Sequence, residues 1–418
     1  MLLLSLAFLQ VQAQGFTDVI IANGNVFSAN NIVTFASYTP GPNPFYAVFD
    51  SVAASSVQDV YAPISPAGTK FFIAADSFLI KYDQSSLQRE AIADVPGIRK
   101  IAVWDTIVLV TRGFGASGDW VQGFGMSNLD PLFSISGISG NCEGIAVEGS
   151  RAYVAVPGPF GTTVGKLAII DIPTQALVKE VDYDTLGNGI ARVYASASGD
   201  AIYSLSPNGF GSTLSTVNKY MISQDSVIHI PIVGGASSSS SQHGHSPEGF
   251  YANFAGTLGY FSFDQDSVVR PSIVAATGAG ITGITNPSSQ VEDLFFTQTD
   301  YFSYGRLFHY TDGIFVDSVD VGISPEAIAL LENVVISRAE RSYPSLTLWP
   351  SISSTVVNFT LPSVTGKVRI LNSNGQVLLQ QEIRGNQGRI DVSMWTPGIY
   401  IVEFSDAEKR FTQKFIKR

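Results

Sequence analysis

The sequence contains a single cysteine in 418 residues, so no disulfide bond can form within the chain. Charged residues are also scarce, at 14% of the total, and acidic residues exceed basic ones to give a formal net charge of -11. Binding to a phosphate backbone depends on clustered Lys and Arg, so nucleic acid is not an expected partner.

Catalytic signatures are missing as well. No Gly-x-Ser-x-Gly elbow is present, and the glycine-rich stretches lack the lysine of a phosphate-binding loop. Asp182 and Asp184 stand without the other ligands of a calcium loop. The only histidine pair, His243 and His245, could share one ion or could be incidental to a polar loop. We therefore predict no catalytic residue, no resident metal and no cofactor.

The N-terminal segment MLLLSLAFLQVQAQG is a short apolar run that ends in small residues. This pattern predicts a signal peptide over residues 1–13, with cleavage before Gln14. The run is too short to span a bilayer, so we expect no transmembrane segment in the mature chain. The alternative is a buried N-terminal strand.

Glycine and aromatic residues are plentiful, with 39 Gly, 16 Tyr and 27 Phe. Together with the low charge, they favour an all-β protein of short strands and tight turns. Seven apolar runs recur at a spacing of roughly 35 to 50 residues, the length of a four-stranded blade. These runs are FFIA (71–74), IVLV (107–110), AYVAV (152–156), AIYSL (201–205), GFYANF (249–254), DLFFTQ (293–298) and VVIS (334–337).

A second strand-like run follows most of these, as in SFLIKYD and KLAIIDI, and Gly- or Pro-bearing links separate the units. We predict a seven-bladed β-propeller over residues 14–341, with six or eight blades as the alternatives because the first 60 residues are irregular. Its last blade, begun by EAIALLENVVISR, would be completed by DVIIANG and PFYAVFD from the start of the chain. The segments DVIIANGNVFSANN, EGIAVEGSRAYVAVPG and SPEAIALLENVVIS resemble those of YncE-like propeller proteins of Bacteroidota. That resemblance implies the fold far more than any function.

The tail, residues 342–418, alternates apolar and polar residues in segments such as GKVRILN and GIYIVEF, with a turn signal at Asn374-Gly375. This pattern predicts a small antiparallel, Ig-like β-sandwich of about 70 residues. The motifs resemble the type A C-terminal sorting domain of type IX secretion substrates. The residues that carry the expected signal are Gly366, Gly398, Tyr400, Lys414, Phe415, Lys417 and Arg418.

The resemblance implies export through the periplasm by the type IX secretion machinery at the outer membrane. The mature protein would then be secreted, either extracellular or on the outer cell surface. In the last strand, Lys414, Lys417 and Arg418 alternate with Phe411 and Phe415, so one face can pack while the other presents cations. Simple protection of an edge strand is the alternative explanation for these lysines.

Loops between the second and third strands of each blade are expected to share a face with the links between blades. On that face we place TRGFGASGDW, VPGPFGTTVG, SPNGFGSTLS, QTDYFSYG and the SSSSSQHGH loop. Aromatic rings on glycine-rich loops can stack on a planar or sugar-like ligand, or they can tuck inward and cap the blades. The candidate ligand-binding residues are Arg112, Phe114, Trp120, Phe160, Phe210, His243, His245, Tyr301 and Tyr304.

Six tripeptides of the form Asp-Ser/Thr-apolar resemble an O-glycosylation signal of surface proteins in Bacteroidota, and turn chemistry is the alternative. The acceptor residues would be Ser51, Thr106, Thr185, Ser226, Ser267 and Ser318.

The sequence thus predicts an exported propeller that acts as a non-enzymatic binding module for a small molecule, glycan or protein. One alternative is a propeller-based carbohydrate-active lyase or hydrolase. Another is a purely structural surface or adhesion protein.

Overall fold

The computed structural model describes sixteen segments of the chain: residues 16–26, 32–41, 43–63, 69–158, 163–207, 214–237, 245–246, 248–274, 280–285, 293–332, 347–349, 352–361, 365–372, 375–384, 387–405 and 410–418. The predicted signal peptide lies outside these segments, as do Phe160, Phe210 and His243. The chain divides into two compact units, Met1–Val335 and Ile336–Arg418.

The prediction of an all-β protein is confirmed, because the only helix among the described residues is a single 3₁₀ turn at Asp184–Gly187. The first half of the first unit contains the strands β1 (Phe16–Asn23), β2 (Val33–Thr39), β3 (Phe45–Val52), β4 (Val57–Tyr61), β5 (Lys70–Ala75), β6 (Phe78–Asp83), β7 (Arg89–Asp94), β8 (Ile98–Trp104), β9 (Ile107–Arg112), β10 (Val121–Gly125), β11 (Pro131–Ile135), β12 (Ile145–Glu148), β13 (Arg151–Val156), β14 (Lys166–Asp171) and β15 (Ala176–Asp182). The second half contains β16 (Arg192–Ala195), β17 (Ala201–Ser206), β18 (Leu214–Met221), β19 (Ser226–Val233), β20 (Ala236–Ser237), β21 (His245–Ser246), β22 (Gly249–Phe254), β23 (Thr257–Ser262), β24 (Ser267–Val274), β25 (Gly280–Thr285), β26 (Asp293–Thr299), β27 (Tyr304–Thr311), β28 (Ile314–Ile323) and β29 (Pro325–Glu332).

The described strands of this unit form seven antiparallel sheets, each with four strands along its main path. Sheet 1 has the order β29-β1-β2-β3, so its first strand comes from the far end of the unit. Sheets 2 to 5 are β4-β5-β6-β7, β8-β9-β10-β11, β12-β13-β14-β15 and β16-β17-β18-β19. Sheet 6 is β20-β22-β23-β24 with β21 also paired to β22, and sheet 7 is β25-β26-β27-β28.

The mixed origin of sheet 1 agrees with the prediction that DVIIANG and PFYAVFD complete the blade begun by EAIALLENVVISR. Strand β29 runs antiparallel to β1, and Ile328 lies opposite Ile21. Six of the seven recurring runs lie within the second strands of sheets 2 to 7. The seventh, at 334–337, lies outside the described residues, and β1 occupies the second position in sheet 1.

Seven hydrophobic clusters hold the sheets together, and each cluster is shared by two successive sheets. The cluster between sheets 7 and 1 joins Phe295 and Leu307 to Tyr38, Ile328 and Leu330, so the sheets form a closed ring. Full burial of one such apolar side chain stabilises a protein by about 1.5–3 kcal/mol. The ring is therefore a rigid scaffold on which loops can carry a site.

The two ends of the strands differ. One end carries the connections between second and third strands together with the links between sheets; we call it the long-loop face. In sheets 3, 4 and 7 these connections span 113–120, 157–165 and 300–303. The opposite end carries the connections between first and second and between third and fourth strands, among them turns in which Asp105, Asp225 and Asp266 have φ of 52°, 50° and 46°. Asp tolerates this left-handed conformation, which accounts for three of the six Asp-Ser/Thr tripeptides as turn residues.

The second unit contains the strands β30 (Thr347–Trp349), β31 (Ile352–Ser353), β32 (Val356–Thr360), β33 (Thr365–Asn372), β34 (Val377–Arg384), β35 (Gln387–Asp391), β36 (Gly398–Ser405) and β37 (Arg410–Lys417). They form two sheets, β30-β32-β35 and β31-β37-β36-β33-β34, which share one core. The pairing differs from the antiparallel prediction at one point, because β31 runs parallel to β37.

Candidate functional site

Arg112 ends β9 at the long-loop face, and its guanidinium bonds to backbone carbonyl oxygens of the protein itself. The side chain is 8% exposed, and it donates to the carbonyl oxygens of Pro96 at 2.9 Å and of Gly118 and Asp119 at 3.2 Å. Burial lowers the pKa of Arg112, and the nearby Asp119 carboxylate opposes that shift. Arg112 therefore holds the 113–120 loop in place.

The two aromatic residues of that loop behave differently from each other. Trp120 is half-buried and packs against the core between sheets 3 and 4. Phe114 is 91% exposed at the tip of the loop, so it does not cap the blade. Of the two rings, only Phe114 can meet a partner in solution.

Of the two candidate histidines, the structure describes only the backbone of His245. Strand β20 pairs with the last residues of β22, with Ala236 opposite Phe254, and the chain leaves β20 toward the start of β22. There, β21 places the backbone of His245 opposite Phe250. The backbone of His245 therefore lies beside the start of β22, at the end of the sheet opposite the long-loop face, whereas His243 lies outside the described residues. Strand β20 has only two residues and carries no readable strand pattern.

The connection between β26 and β27 presents three aromatic rings on the long-loop face. Tyr301, Phe302 and Tyr304 are 45%, 67% and 76% exposed. The Asp300 carboxylate accepts hydrogen bonds from the backbone N–H groups of Phe302 at 2.9 Å and Ser303 at 2.8 Å. These bonds lower the pKa of Asp300 and fix the turn that displays the rings.

A groove of about 570 Å³ opens beside Tyr304, between sheets 7 and 1. Ligand pockets in proteins are commonly of this size. We call it the closing groove. It is lined by Gly24, Asn25, Ile32, Thr34, Tyr46, Val48, Tyr304, Asp320, Val321, Gly322 and Ile323.

The polar groups of the closing groove supply both donors and acceptors. The Tyr46 hydroxyl accepts from the Gly322 N–H at 3.1 Å and from Asn23 Nδ2 at 3.5 Å, which leaves its own proton available to donate. Asp320 Oδ1 accepts from Arg306 Nε at 2.8 Å and Nη2 at 2.6 Å. Within the described segments, Asp320 Oδ2 and the Tyr304 hydroxyl have no hydrogen-bond partner.

A cluster of charged and polar side chains lies at the long-loop face, where the first strands of several sheets begin. We call these first strands the innermost strands. Arg99 donates to Glu143 Oε1 at 2.7 Å and to Gln58 Oε1 at 2.6 Å, bridging sheets 2, 3 and 4. Lys100 is 6% exposed, and burial lowers its pKa. The sequence carries a signal for this cluster. In a chain poor in charge, the stretches PGIRK, NCEG, IARV and SPEA each place a charged residue at or near the start of an innermost strand.

Glu326 belongs to the same cluster. Its carboxylate accepts from the Val57 N–H and the Ser324 hydroxyl, both at 2.9 Å. Burial raises the pKa of Glu326, and the charge of Glu326 adds to the burial that raises the pKa of Tyr301. Tyr301 therefore lies near this cluster, while Tyr304 lines the groove.

The residues expected to carry the sorting signal fall into two groups. Tyr400 and Phe415 are buried in the core of the second unit and stack at 5.4 Å, and Gly366 lies against the ring of Phe404. Lys414 and Arg418 are exposed, as is Gly398. Lys417 departs from the expected cationic face, because it is 7% exposed and lies on the same side of β37 as Phe415.

Four of the six candidate glycosylation residues are exposed, namely Ser51, Thr106, Thr185 and Ser226. Ser267 and Ser318 are half-buried. In the part of the chain that the structure describes, no three His, Cys, Asp or Glu side chains are grouped as metal ligands. No helix of sufficient length and apolarity to cross a bilayer occurs in that part either. Cys142 is buried, and burial raises the pKa of its thiol.

The C-terminal strands lie in a segment that matches a known family. Residues 347–418 match the secretion system C-terminal sorting domain. This match confirms the predicted sorting domain, and it indicates export by type IX secretion to the cell surface or the extracellular space. No curated protein matches the chain.

Outside the sorting domain the comparisons show the fold alone. A hypothetical selenium-binding protein from Sulfolobus tokodaii aligns with a TM-score of 0.60 at 7% identity, over 76% of this chain and 94% of that chain. PorZ, an essential surface component of the type-IX secretion system of Porphyromonas gingivalis, aligns with a TM-score of 0.44 at 11% identity. That alignment covers 94% of this chain and 59% of PorZ. The resemblance to YncE-like propellers stays a prediction.

Proposed function

We propose that this chain is an exported propeller that acts as a non-enzymatic binding module, with its ligand held at the long-loop face. The observation that carries the proposal is the closing groove beside the exposed ring of Tyr304. Concave surfaces lined by aromatic side chains with a few placed polar groups are the usual form of ligand sites. The sorting domain supports delivery of this surface to the outside of the cell.

The described contacts support a carbohydrate-active enzyme less well than they support a binding module. Glycoside hydrolysis commonly uses two carboxyl groups that face the same bond. In the polar cluster, Glu143 forms an ion pair with Arg99. Glu326 accepts hydrogen bonds from the Val57 N–H and the Ser324 hydroxyl. These contacts suit structural roles. A purely structural surface protein would have no need for the exposed rings beside the groove.

Thermal unfolding of the full chain tests the proposal against a panel of oligosaccharides, planar aromatic compounds, metal ions and peptides. A true ligand stabilises the folded chain by mass action, by about 2.7 kcal/mol at a hundredfold excess over its Kd. We expect at least one class to raise the unfolding temperature of the wild type. The same class should have no such effect on Tyr304→Ala and its full effect on Phe114→Ala. If no class stabilises the wild type, the structural role is favoured instead.

A further inference from the structure

The closing groove combines an apolar ring face with hydrogen-bonding groups of both kinds. Tyr304 offers the exposed ring, and Ile32 and Val48 extend the apolar surface at 53% and 54% exposure. Tyr46 offers a donor, and Asp320 offers a carboxylate oxygen as an acceptor. A ligand that satisfies all of these must have an apolar face and must also donate and accept hydrogen bonds along one edge.

The charge of the groove narrows the class of ligand further. Asp320 is the only acidic residue among its lining residues, and Arg306 neutralises it through two hydrogen bonds to one oxygen. A cationic ligand would therefore gain little Coulomb energy, since Arg306 would repel it as Asp320 attracts it. An anionic ligand would gain as little, since Asp320 would repel it as Arg306 attracts it. A planar apolar ligand would leave the Tyr46 donor unpaired, which is costly once water is excluded.

We infer that the closing groove binds a neutral saccharide, with one sugar ring stacked on Tyr304 and its hydroxyl groups bonded to Tyr46 and Asp320. This inference rests on the proposed binding function and names the ligand class of that same site. A pyranose ring has an apolar C–H face that packs on an aromatic ring, and its hydroxyl groups both donate and accept hydrogen bonds. The ion pair between Asp320 and Arg306 gives a charged sugar no electrostatic advantage, so a neutral sugar is the expected ligand.

The position of the groove supports an extended ligand. One side is formed by Gly24, Asn25 and Ile32 of the β1–β2 connection together with residues of β2 and β3, and the other side by residues of β27 and β28, so most of the lining belongs to strands of the ring. At the long-loop face the exposed rings of Tyr301 and Phe302 lie immediately before Tyr304 in the chain. A chain of several sugars could continue from the groove over these rings, and affinity should then rise with oligosaccharide length.

The test uses the full chain on an array of neutral, acidic and amino sugars, followed by calorimetric titration of the neutral oligosaccharides that bind. We expect saturable binding of a neutral oligosaccharide, weakened at least tenfold by Tyr304→Ala and several-fold by Asp320→Asn. Phe114→Ala is the matched control, because Phe114 is an exposed ring on the same face but does not line the groove. Its affinity should equal that of the wild type.

The outcomes separate this inference from the broader proposal. Tyr304-dependent binding of a planar aromatic compound or a peptide, with no neutral sugar bound, would overturn the saccharide assignment and leave the binding function standing. Sugar binding that Phe114→Ala abolishes and Tyr304→Ala spares would move the site away from the groove. If no class of ligand binds at all, both proposals fail. Circular dichroism of each variant shows whether it is folded, and Tyr304→Phe supplies a milder substitution that removes only the hydroxyl.

Discussion

The Tyr38 hydroxyl donates a hydrogen bond of 2.7 Å to Asp317 Oδ2, although 279 positions separate the two residues. Tyr38 lies in β2 of sheet 1 and Asp317 in β28 of sheet 7, so the bond links the two sheets whose contact completes the ring. An equivalent bond of 2.7 Å joins Tyr82 in β6 to Asp50 in β3, one sheet further on. Asp317 and Asp50, each the first residue of an Asp-Ser-Val tripeptide, thus form contacts between sheets and do not form turns.

Substitution of Tyr38 by Phe should lower the free energy of unfolding of the ring by about 1–2 kcal/mol, because a charged acceptor loses its partner at a buried position. Tyr82→Phe is the matched comparison. It should cost less, since Asp50 keeps its bonds to Arg89 at 2.7 and 2.8 Å. Urea denaturation of the three proteins checks the order, and an equal loss in both variants would contradict it.

His309 should make the stability of the ring depend on pH. Its ring stacks on Phe295 at 4.2 Å and lies 3.7 Å from both Asp293 and Asp317. Burial lowers the pKa of His309, and the two carboxylates oppose that shift. The unfolded chain therefore binds the proton more readily than the folded chain, so stability should fall as the pH drops through the ordinary range of histidine near 6.5.

His309→Phe removes this titration while keeping an aromatic ring on Phe295. The wild type should lose more stability than the variant between pH 7.5 and 5.5, by at most about 1.4 kcal/mol per pH unit. The groups that face His309 from neighbouring strands are Asp293, Asp317, Thr311 and, through Asp317, Tyr38. Parallel stability curves for the two proteins would show that His309 does not contribute.

Glu326 should have the opposite dependence. Its pKa is raised by burial, so the folded chain favours the protonated carboxyl group. The stability that this group contributes is present at low pH and is lost as the pH rises through its folded pKa. Glu326→Gln keeps an acceptor for the Val57 N–H and should raise the free energy of unfolding at pH 7 but not at pH 4. A lower stability of the variant at pH 7 would show that the charge itself is needed.

The sorting domain should stay folded when Lys414 is replaced by Ala and should unfold when Phe415 is replaced by Ala. Phe415 is 1% exposed, and Phe415→Ala should cost about 3–5 kcal/mol. A core of about 70 residues rarely supplies more than that, so the domain should unfold. Lys414→Ala should change stability by less than about 0.5 kcal/mol because the side chain is exposed. Stability measurements and the fraction of protein outside the cell separate a recognition role of Lys414 from the folding role of Phe415.

Local patterns in the sequence predicted the strands well. The repeated runs predicted the second strands of sheets 2 to 7, and the apolar segments at the two ends of the unit predicted a sheet shared between them, as β29, β1 and β3 now form. These features depend on alternation and spacing, which a single stretch of chain displays. The short strand β20 displays neither, so nothing in the sequence indicated that His245 lies beside the start of β22.

The site was much harder to predict. The groove forms where Tyr46 and Ile32 meet Tyr304 and Asp320, and those two pairs lie more than 250 positions apart in the chain. Of its lining residues only Tyr304 was a candidate, chosen for its loop. Arg112 was chosen for the same reason, but its three bonds to carbonyl oxygens depend on how the loop folds back, which spacing alone does not reveal.

Hydroxyl-radical footprinting of the full chain, with and without the ligand that stabilises it most, tests the central claim most directly. We predict that the ligand protects Tyr304, Tyr46, Ile32 and Val48 from oxidation and leaves Phe114 as reactive as before. Protection confined to Phe114, or to residues at the opposite end of the strands, would contradict the claim that the closing groove is the binding site.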